Sequence, residues 1–520
     1  MSGDQVRIRL EPLALEVEIP RGAQLVNALS SQGVEFPCGG TGTCGGCGVR
    51  VLSGSLPVTD PDRTAFTSEQ LTLGWRLACQ ARPQMPLAIE CLQWRMDVLS
   101  DDSGLIASGK RGLGMAIDLG TTTIAAQILD LATGKVLGVE TALNPQAPFG
   151  SDVMSRIRAA LNGDDLATVV HVALGQLIAR LAHGRESEIT EVILVGNTVM
   201  HHLFSGCDVE PLSYAPFVSP NLGVQTFQAK DLGWSLPAAC TILFAPCLGG
   251  FVGSDILAGI IATGVAHSDD LIALVDLGTN GEIAIGNRHG IVCASTAAGP
   301  AFEAGSIRMG MRAATGAISY VSLFNGQMTS TVIGDVEPRG ICGSGLVDAV
   351  AVGLRAGAIL PSGRIANGTK MFPVSGPVLL YQSDIRELQL AKAAIASGFK
   401  LLLKRLGATA CDIESIHLAG AFGNYVQIES ALRIGLIDLG SIDAPRQLIR
   451  VAGNTALRGA KIMLLSGEAP KLPTIEHVSL AVDAGFQDEF ANCMRFSQAE
   501  IHDQWAAAFN GAKIGNLRER

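Results

Sequence analysis

The stretch Cys38-Gly39-Gly40-Thr41-Gly42-Thr43-Cys44-Gly45-Gly46-Cys47-Gly48 constrains this chain more than any other. Three thiols fall within ten residues, and every gap between them is glycine or threonine, so the backbone can curl tightly with few Cβ clashes. A fourth thiol, Cys79, follows after 31 residues, inside a run (75–80) that reads as a strand. A C-x5-C-x2-C…C array suits four thiolates holding a [2Fe–2S] centre. Zinc on Cys44 and Cys47 with two further ligands is one rival, and a dithiol redox motif is another. Glycine density and the third upstream thiol favour iron–sulfur, with Cys38, Cys44, Cys47 and Cys79 as ligands.

Around this loop the pattern is that of a small sheet. Residues 5–20 alternate apolar and polar (Val6, Ile8, Leu10, then Leu15, Val17, Ile19), the period of a half-buried hairpin. Residues 24–31 read as a short helix, and 48–52 and 87–92 as strands. Cys91 stands outside the array and reads as a buried apolar filler. The cysteine spacing departs by one residue from the plant type and resembles that of adrenodoxin-like ferredoxins. A sheet gripping one helix, with thiols on a loop, resembles the β-grasp fold of [2Fe–2S] ferredoxins. Residues 97–112 have linker composition. They contain a near match to a phosphate-binding loop, Gly104-x4-Gly109-Lys110, but Arg111 replaces the Ser/Thr that would hold magnesium, so the match is read as chance.

Next comes a repeat. Met115-Ala116-Ile117-Asp118-Leu119-Gly120-Thr121-Thr122-Thr123-Ile124 shares its Asp-Leu-Gly-Thr with Ile272–Glu282, where Asp276 lies 158 residues after Asp118. In both, an apolar strand ends at an aspartate, turns through Gly-Thr and enters a second strand (124–128; 282–285). Small residues at the turn leave amides and hydroxyls free for phosphate, and the aspartate can hold magnesium. Two copies imply a duplicated domain with a nucleotide between its halves. The pattern resembles the two phosphate motifs of the acetate and sugar kinase/Hsc70/actin superfamily. Ile416-His417-Leu418-Ala419-Gly420-Ala421-Phe422-Gly423-Asn424 resembles its adenosine motif, read as a strand ending in a glycine turn.

Further glycine punctuation follows. Gly196-Asn197-Thr198 opens a helix with Asn197 or Thr198 near its cap, and His201 and His202 read as core residues rather than metal ligands, because neighbours on a helix point apart. Residues 298–303 and 340–345 read as turn-to-helix entries. Cys342 is read as a small apolar residue before a glycine turn. Residues 244–266 are the longest apolar run, but Asp255 and five glycines argue for a core helix behind a glycine turn. The helix 455–465 is expected to pack on the second half. From 479 a strand and an amphipathic helix are expected to cover the core or meet a partner.

The order of ferredoxin, linker and kinase-like ATPase resembles the reductive activators of corrinoid proteins. Those carry Asp-Leu-Gly-Thr-Thr-Thr, Leu-Asn-Pro-Gln (143–146 here), Gly-Asn-Thr and Ala-Gly-Pro-Ala-Phe-Glu stretches. The resemblance implies an α+β and α/β multidomain chain: a β-grasp [2Fe–2S] domain (1–96), a linker (97–112), then a duplicated RNase H-like ATPase of actin, Hsc70 and sugar-kinase type (113–268 and 269–490) and a tail (491–520). It implies ATP-dependent re-reduction of Co(II) to Co(I) in a corrinoid protein or cobalamin-dependent methyltransferase. The implied cofactors are the [2Fe–2S] cluster, ATP and Mg2+. Implied partners are the corrinoid protein, an upstream low-potential reductant (ferredoxin, flavodoxin or reductase) and a second copy in a homodimer.

In this reading Asp118 and Asp276 organise magnesium, and Gly120, Thr121, Thr122, Thr123, Gly278, Thr279, Asn280 and Gly281 hold phosphates. Gly420, Ala421, Phe422, Gly423 and Asn424 lie against adenosine, and Glu282 or one of the two aspartates orients water. One departure is expected: the larger relatives place a separate middle domain where this chain has only a linker. Activation of a radical dehydratase, a nucleotide-binding redox sensor without turnover, and a small-molecule kinase are the other readings. A net charge of −10 without a basic stripe argues against nucleic-acid binding. No apolar h-region follows a positive start within residues 1–10, and a cytoplasmic protein without membrane spans is expected.

Overall fold

The computed structural model describes residues 5–11, 15–30, 34, 42, 47–91, 109–150, 152–278, 280–324, 327–366, 368–439, 445–466 and 471–496. Cys38, Cys44, Thr279, residues 97–108 of the expected linker and residues 497–520 of the expected tail lie outside them. Contacts divide the chain into two compact units. The first holds residues 1–274, 284–294 and 452–482, and the second holds 275–283, 295–451 and 483–520.

The first unit begins with strands β1 (Gln5–Glu11) and β2 (Leu15–Pro20), helix α1 (Leu25–Ser30), β3 (Gly48–Ser53), helices α2 (Asp60–Ala65) and α3 (Ser68–Thr72), β4 (Trp75–Leu77) and β5 (Leu87–Cys91). The strands form one sheet in the order β2-β1-β5-β3-β4. The expected hairpin is present, with Val6 opposite Ile19 and Ile8 opposite Val17. Val6, Ile8 and Leu10 are buried while Gln5, Arg7 and Arg9 are exposed. Cys91 is buried, and burial pushes its thiol up to about 12, as a filler residue requires. One expectation is corrected: the strand expected over 75–80 stops at Leu77, so Cys79 sits in the following turn.

The same unit continues with β6 (Leu113–Leu119), β7 (Thr123–Asp130), β8 (Val136–Leu143), α4 (Val153–Leu161), α5 (Leu166–Ala182), β9 (Ile189–Gly196), α6 (Thr198–Ser205), β10 (Gln225–Phe227), β11 (Thr241–Phe244) and α7 (Ser254–Thr263). Its sheet runs β10-β11-β9-β6-β7-β8. Because side chains alternate across a strand, β6 presents Leu113, Met115, Ile117 and Leu119 to the core shared with residues of α4, α5 and α6. Ala116 faces the other core. The apolar run 244–266 is a strand end, a glycine turn and the short helix α7, and no single helix among the described residues is long and apolar enough to cross a membrane.

Strands β12 (Leu271–Leu277), β13 (Gly281–Asn287) and β14 (Gly290–Thr296) open the second half. The second unit adds β15 (Ala317–Phe324), β16 (Gln327–Val332), β17 (Gly340–Ile341), α8 (Gly343–Arg355), β18 (Met371–Ser375), β19 (Val378–Tyr381), α9 (Gln382–Leu406), β20 (Ile413–Ala419), α10 (Gly420–Tyr425) and α11 (Ile428–Ile434). The chain ends in β21 (Ile449–Gly453), α12 (Thr455–Leu465), β22 (Ile475–His477) and α13 (Phe486–Cys493). A second six-stranded sheet has the order β21-β20-β12-β13-β14-β22. Counted from each Asp-Leu-Gly-Thr strand, both large sheets contain the order fourth-first-second-third, so the repeated tetrapeptide marks a repeated four-strand topology.

Two further expectations change. Helix α12 does not pack on the second half: its Leu457, Ala460 and Leu464 share a core with Ala116, Ile193, Val195 and Ala258 of the first unit. The reason is small residues, since a Cβ on Gly459 would sit 2.0 Å from the Ala258 carbonyl oxygen, an approach that glycine alone permits. Residues 298–303 form a 3-10 turn over Pro300–Glu303 rather than entering an α-helix. The tail helix α13 covers α9, with Cys493, Phe490 and Met494 packed on Ala393 and Ala396.

Candidate functional site

The first Asp-Leu-Gly-Thr turn is held from three sides within the first unit. The turn closes on itself through the Gly120 N–H, which donates to the Thr123 carbonyl (2.9 Å). Asn144, just past the end of β8, donates from its side chain to the Gly120 carbonyl (2.8 Å) and from its backbone to the Thr122 carbonyl (2.8 Å). Strand β9 runs parallel to β6 with Gly196 opposite Leu119, which places Asn197 beside the turn. The Asn197 side chain donates to the Thr121 hydroxyl oxygen (2.8 Å) while its Oδ1 accepts from the Met200 N–H (3.0 Å) and caps α6. The backbone N–H groups of Thr121 and Thr122 donate to nothing among the described residues. With Asn197 donating to its oxygen, the Thr121 hydroxyl keeps its own hydrogen for a further acceptor.

Asp118, at the end of β6, is fixed by Asn454, whose side chain donates to Oδ2 (2.9 Å) and whose Oδ1 caps α12 through the Leu457 N–H. Burial pushes the Asp118 carboxyl up to about 6, against the Asn454 bond, which favours the charged form. Two helices, α6 and α12, therefore begin at side chains that touch this turn or its aspartate, and helix starts carry partial positive charge. Ser254, in the first turn of α7, donates to the Gly196 carbonyl (3.2 Å) and accepts from the Gly196 N–H (3.1 Å), bracing the Asn197 strand end. Unused amides, an oriented hydroxyl and two helix starts fit an anion, and the half-buried carboxylate beside them fits a hydrated divalent cation.

The second turn lies in the second unit. The Gly278 N–H donates to the Asn280 carbonyl (3.0 Å), and Thr279 is outside the described residues. Gly281 is pinned by the Thr296 hydroxyl on its carbonyl (3.1 Å), and Glu282 is buried and accepts from the Ser295 hydroxyl (3.2 Å). Gly420 joins this turn to the expected adenosine motif. Its φ is +80°, and a Cβ there would sit 2.5 Å from Asp276 Oδ1 and 2.7 Å from the Leu277 carbonyl. The motif itself is corrected in form: residues Gly420–Tyr425 make a short helix, not an open turn. Phe422 is buried and stacked on Phe302 (centroids 4.7 Å apart), so its ring serves the core. Beyond it, Asn424, Tyr425, Val426, Gln427, Ile428, Glu429 and Val451 line an open cleft of about 290 Å³.

In the small sheet, Cys47 and Cys79 are both buried, brought together by the pairing of Gly48 with Leu77, and the Ala78 N–H donates to the Cys47 carbonyl (2.9 Å). The turn carrying Cys79 is anchored by Asp62, which accepts from the Leu77 N–H (2.7 Å). The Gln80 side-chain amide donates to Cys79 Sγ (3.5 Å). Gly42, at φ +83°, is crowded: a Cβ there would lie 3.0 Å from Gln80 Nε2 and 3.1 Å from Pro61. Two buried sulfurs, an N–H donor on one of them and a loop glycine on a left-handed backbone fit a thiolate-held cluster.

His201 and His202 are core residues, although the reason differs from the expected one. Their Nδ1 atoms are 3.4 Å apart, so the rings do meet. Each ring is used: His201 Nε2 donates to the Gly223 carbonyl (3.1 Å), His202 Nδ1 donates to the Thr198 carbonyl (2.7 Å), and His202 Nε2 accepts from the Ser219 hydroxyl (2.6 Å). No group of three or more His, Cys, Asp or Glu side chains among the described residues is placed to hold a metal ion. Cys342 is buried at the N-cap of α8. Sequence reading missed the roles of Asn144, Asn197 and Asn454 toward the first turn; the available signal was an asparagine at each of three strand ends flanking it.

Comparison with known proteins covers nearly all of this chain. The 2Fe-2S iron-sulfur cluster binding domain matches residues 8–84, the RACo middle region matches 113–268, and the C-terminal domain of RACo, the ASKHA domain, matches 270–505. The corrinoid activation enzyme RamQ of Eubacterium limosum is 35% identical over 72% of this chain and 69% of its own length. The [Co(II) methylated amine-specific corrinoid protein] reductase of Methanosarcina barkeri is 28% identical over 72% of this chain and 75% of its own. A solved reductive activator for corrinoid, iron-sulfur protein superposes with a TM-score of 0.63 and 28% identity, over 94% of this chain and 98% of that one. The expected departure is thereby corrected: the stretch from the first Asp-Leu-Gly-Thr strand onward is itself what the middle region matches, so that region is present.

Proposed function

The chain belongs to the family of reductive activators of corrinoid proteins, and we propose that it is an ATP-hydrolysing activase that returns Co(II) to Co(I) in a corrinoid protein or cobalamin-dependent methyltransferase. Cys38, Cys44, Cys47 and Cys79 would hold the [2Fe–2S] cluster, which when bound supplies one-electron transfer at roughly −400 mV for a plant-type centre. An ordinary reductant stalls against a cobalt couple below that value. Nucleotide binding supplies the missing drive if it favours one conformation, because a ligand shifts an equilibrium by its differential affinity for the two states. Each tenfold shift corresponds to roughly 1.4 kcal/mol, or about 59 mV for one electron.

The chain's own residues prepare the nucleotide end. Asn144 and Asn197 fix the turn so that the Thr121 and Thr122 amides and the Thr121 hydroxyl meet phosphate oxygens without reorganising. Asn454 orients Asp118 for Mg2+, Asp276 takes the matching place at the second turn, and residues 420–424 flank adenosine with Phe422 as core support. Glu282, held by Ser295, or one of the aspartates orients the hydrolytic water. The observation that carries the proposal is the doubly tethered first turn on the same chain as the buried Cys47–Cys79 pair.

The test is anaerobic. The purified chain is reduced and mixed with a candidate corrinoid methyltransferase, and the cob(II)alamin spectrum is followed with and without Mg-ATP, alongside iron analysis and electron paramagnetic resonance. Two irons per chain and Mg-ATP-dependent loss of the Co(II) signal are expected. Zinc in place of iron, or Co(II) loss that ignores Mg-ATP with every candidate partner, overturns the proposal.

A further inference from the structure

We propose that the adjacent residues Leu143 and Asn144 tie the seating of the cysteine-bearing sheet to the occupation of the first Asp-Leu-Gly-Thr turn. Leu143 is the last residue of β8 and stands opposite Thr123, the end of the turn. Its side chain is buried, but not in the core of its own sheet: it belongs to the cluster that contains Val6, Ile8, Cys47, Val49, Leu77, Cys79 and Ile89. The next residue, Asn144, makes the two hydrogen bonds that hold Gly120 and Thr122. It is buried too and also touches Met200 Sδ (3.3 Å), so it has no slack in which to absorb a shift of its neighbour.

Consecutive Cα atoms are about 3.8 Å apart and rigidly spaced. A side chain anchored in one core and a neighbour hydrogen-bonded twice to a turn therefore move together. Close-packed interiors switch between discrete arrangements rather than deforming smoothly. Docking of the cysteine-bearing sheet on Leu143 holds Asn144 where it shapes the turn, and an occupied turn holds Leu143 where that sheet docks. The coupling is positive and, as a linkage, equal in both directions. This rests on the reading of the turn as a nucleotide site. It adds a route by which nucleotide, bound at the ATPase half, fixes the placement of the electron-carrying half.

The test uses the full chain carrying its cluster. Mg-ADP affinity is measured by calorimetry for the wild type and for Leu143→Ser, a residue with no part in nucleotide contact. Deuterium uptake of peptides from residues 47–91 is measured with and without Mg-ADP. Expected are an affinity loss of about fivefold or more in the variant and slower uptake in 47–91 when the wild type is given Mg-ADP. Unchanged affinity in Leu143→Ser together with uptake that ignores Mg-ADP overturns the link and leaves the nucleotide reading standing. A wild type that binds no Mg-ADP removes both. If Leu143→Ser does not fold, the wild-type uptake decides alone.

Discussion

Replacing Asn197 separates what the first turn needs for stability from what it needs for binding. The residue does two jobs with two atoms: Oδ1 caps α6 through Met200, and Nδ2 donates to the Thr121 hydroxyl. Asn197→Ala removes both. Losing the cap costs about 1 kcal/mol, and losing the tether costs about 1 kcal/mol more, so a drop of about 2 kcal/mol in unfolding free energy should accompany weaker nucleotide binding. Asn197→Asp keeps the cap, since a carboxylate accepts from Met200 N–H at least as well and favours a helix start. It removes the donor to Thr121, turns the Thr121 hydroxyl hydrogen toward itself, and places a negative charge beside the phosphates. At about 5 Å with an effective dielectric constant of about 20, that repulsion is about 3 kcal/mol, roughly a hundredfold in affinity. Denaturant titration and Mg-ADP calorimetry on the full chain read the two effects independently. Asn197→Asp should be as stable as the wild type and bind roughly a hundredfold more weakly. An Asn197→Asp variant that binds Mg-ADP normally would refute the assignment of Thr121 as a phosphate donor.

Three further predictions follow from close approaches and buried charge. Gly420→Ala should destabilise the chain by about 2 kcal/mol and weaken Mg-ADP binding, because the new Cβ meets Asp276 Oδ1 at 2.5 Å on a backbone at φ +80°; retention of full affinity and stability would show that the strand end at Asp276 yields freely. Gly459→Ala should cost about 1–3 kcal/mol by forcing α12 off α7, whereas Gly290→Ala, where a Cβ meets nothing within 4 Å, should be neutral on the same denaturation assay. His201 is held neutral, its pKa pushed down to about 4 by burial and by His202, with Asp208 facing the His202 ring. A histidine depressed on folding contributes stability that is whole above its unfolded value near 6.5 and is lost as pH falls toward 4. This amounts to about 3 kcal/mol at most, and His201→Asn should flatten the dependence of the denaturation midpoint between pH 7 and 4.5.

Local patterns in this sequence translated well wherever one element sets its own structure. The alternation of Val6, Ile8 and Leu10, then Val17 and Ile19, became the expected hairpin, since a half-buried strand has only one face to hide. The repeated Asp-Leu-Gly-Thr became two strand-turn-strand units in sheets that share the order fourth-first-second-third. Asn197 became a helix cap, as a short polar residue before an apolar run should. What stayed hidden was the choice of partner. Nothing in Leu143–Gln146 says that its asparagine reaches back 24 residues to Gly120, and the two histidines were expected to diverge on the helix yet meet because Gly223, Thr198 and Ser219 supply acceptors and a donor for both rings. The strand expected over 75–80 ends early because the chain turns back on itself, the Gln80 N–H donating to the Leu77 carbonyl (3.0 Å) and the Ala81 N–H to the Ala78 carbonyl (3.2 Å).

The misplacement of α12 bears most directly on function. Chain order suggested that residues 455–465 complete the half they follow, and packing says otherwise: Leu457, Ala460 and Leu464 fill the first unit's core. That return is what delivers Asn454 to Asp118, 336 residues away in sequence. The first turn is therefore assembled from four separated stretches, at residues 118–123, 144, 197 and 454, and three of its four contributors are asparagines that donate from Nδ2. An asparagine at such a place presents a donor to the turn and an acceptor to its own backbone, and it adds no charge. On the proposed reading, an aspartate would repel the phosphates and a lysine would compete with magnesium. Neutral donors hold the turn, and one of them, Asn454, touches the carboxylate of Asp118, which that reading assigns to the cation. On the proposed reading, a turn built this way would respond to its ligand through the elements that carry those side chains, and one of them, β8, ends in the core of the cysteine-bearing sheet at Leu143.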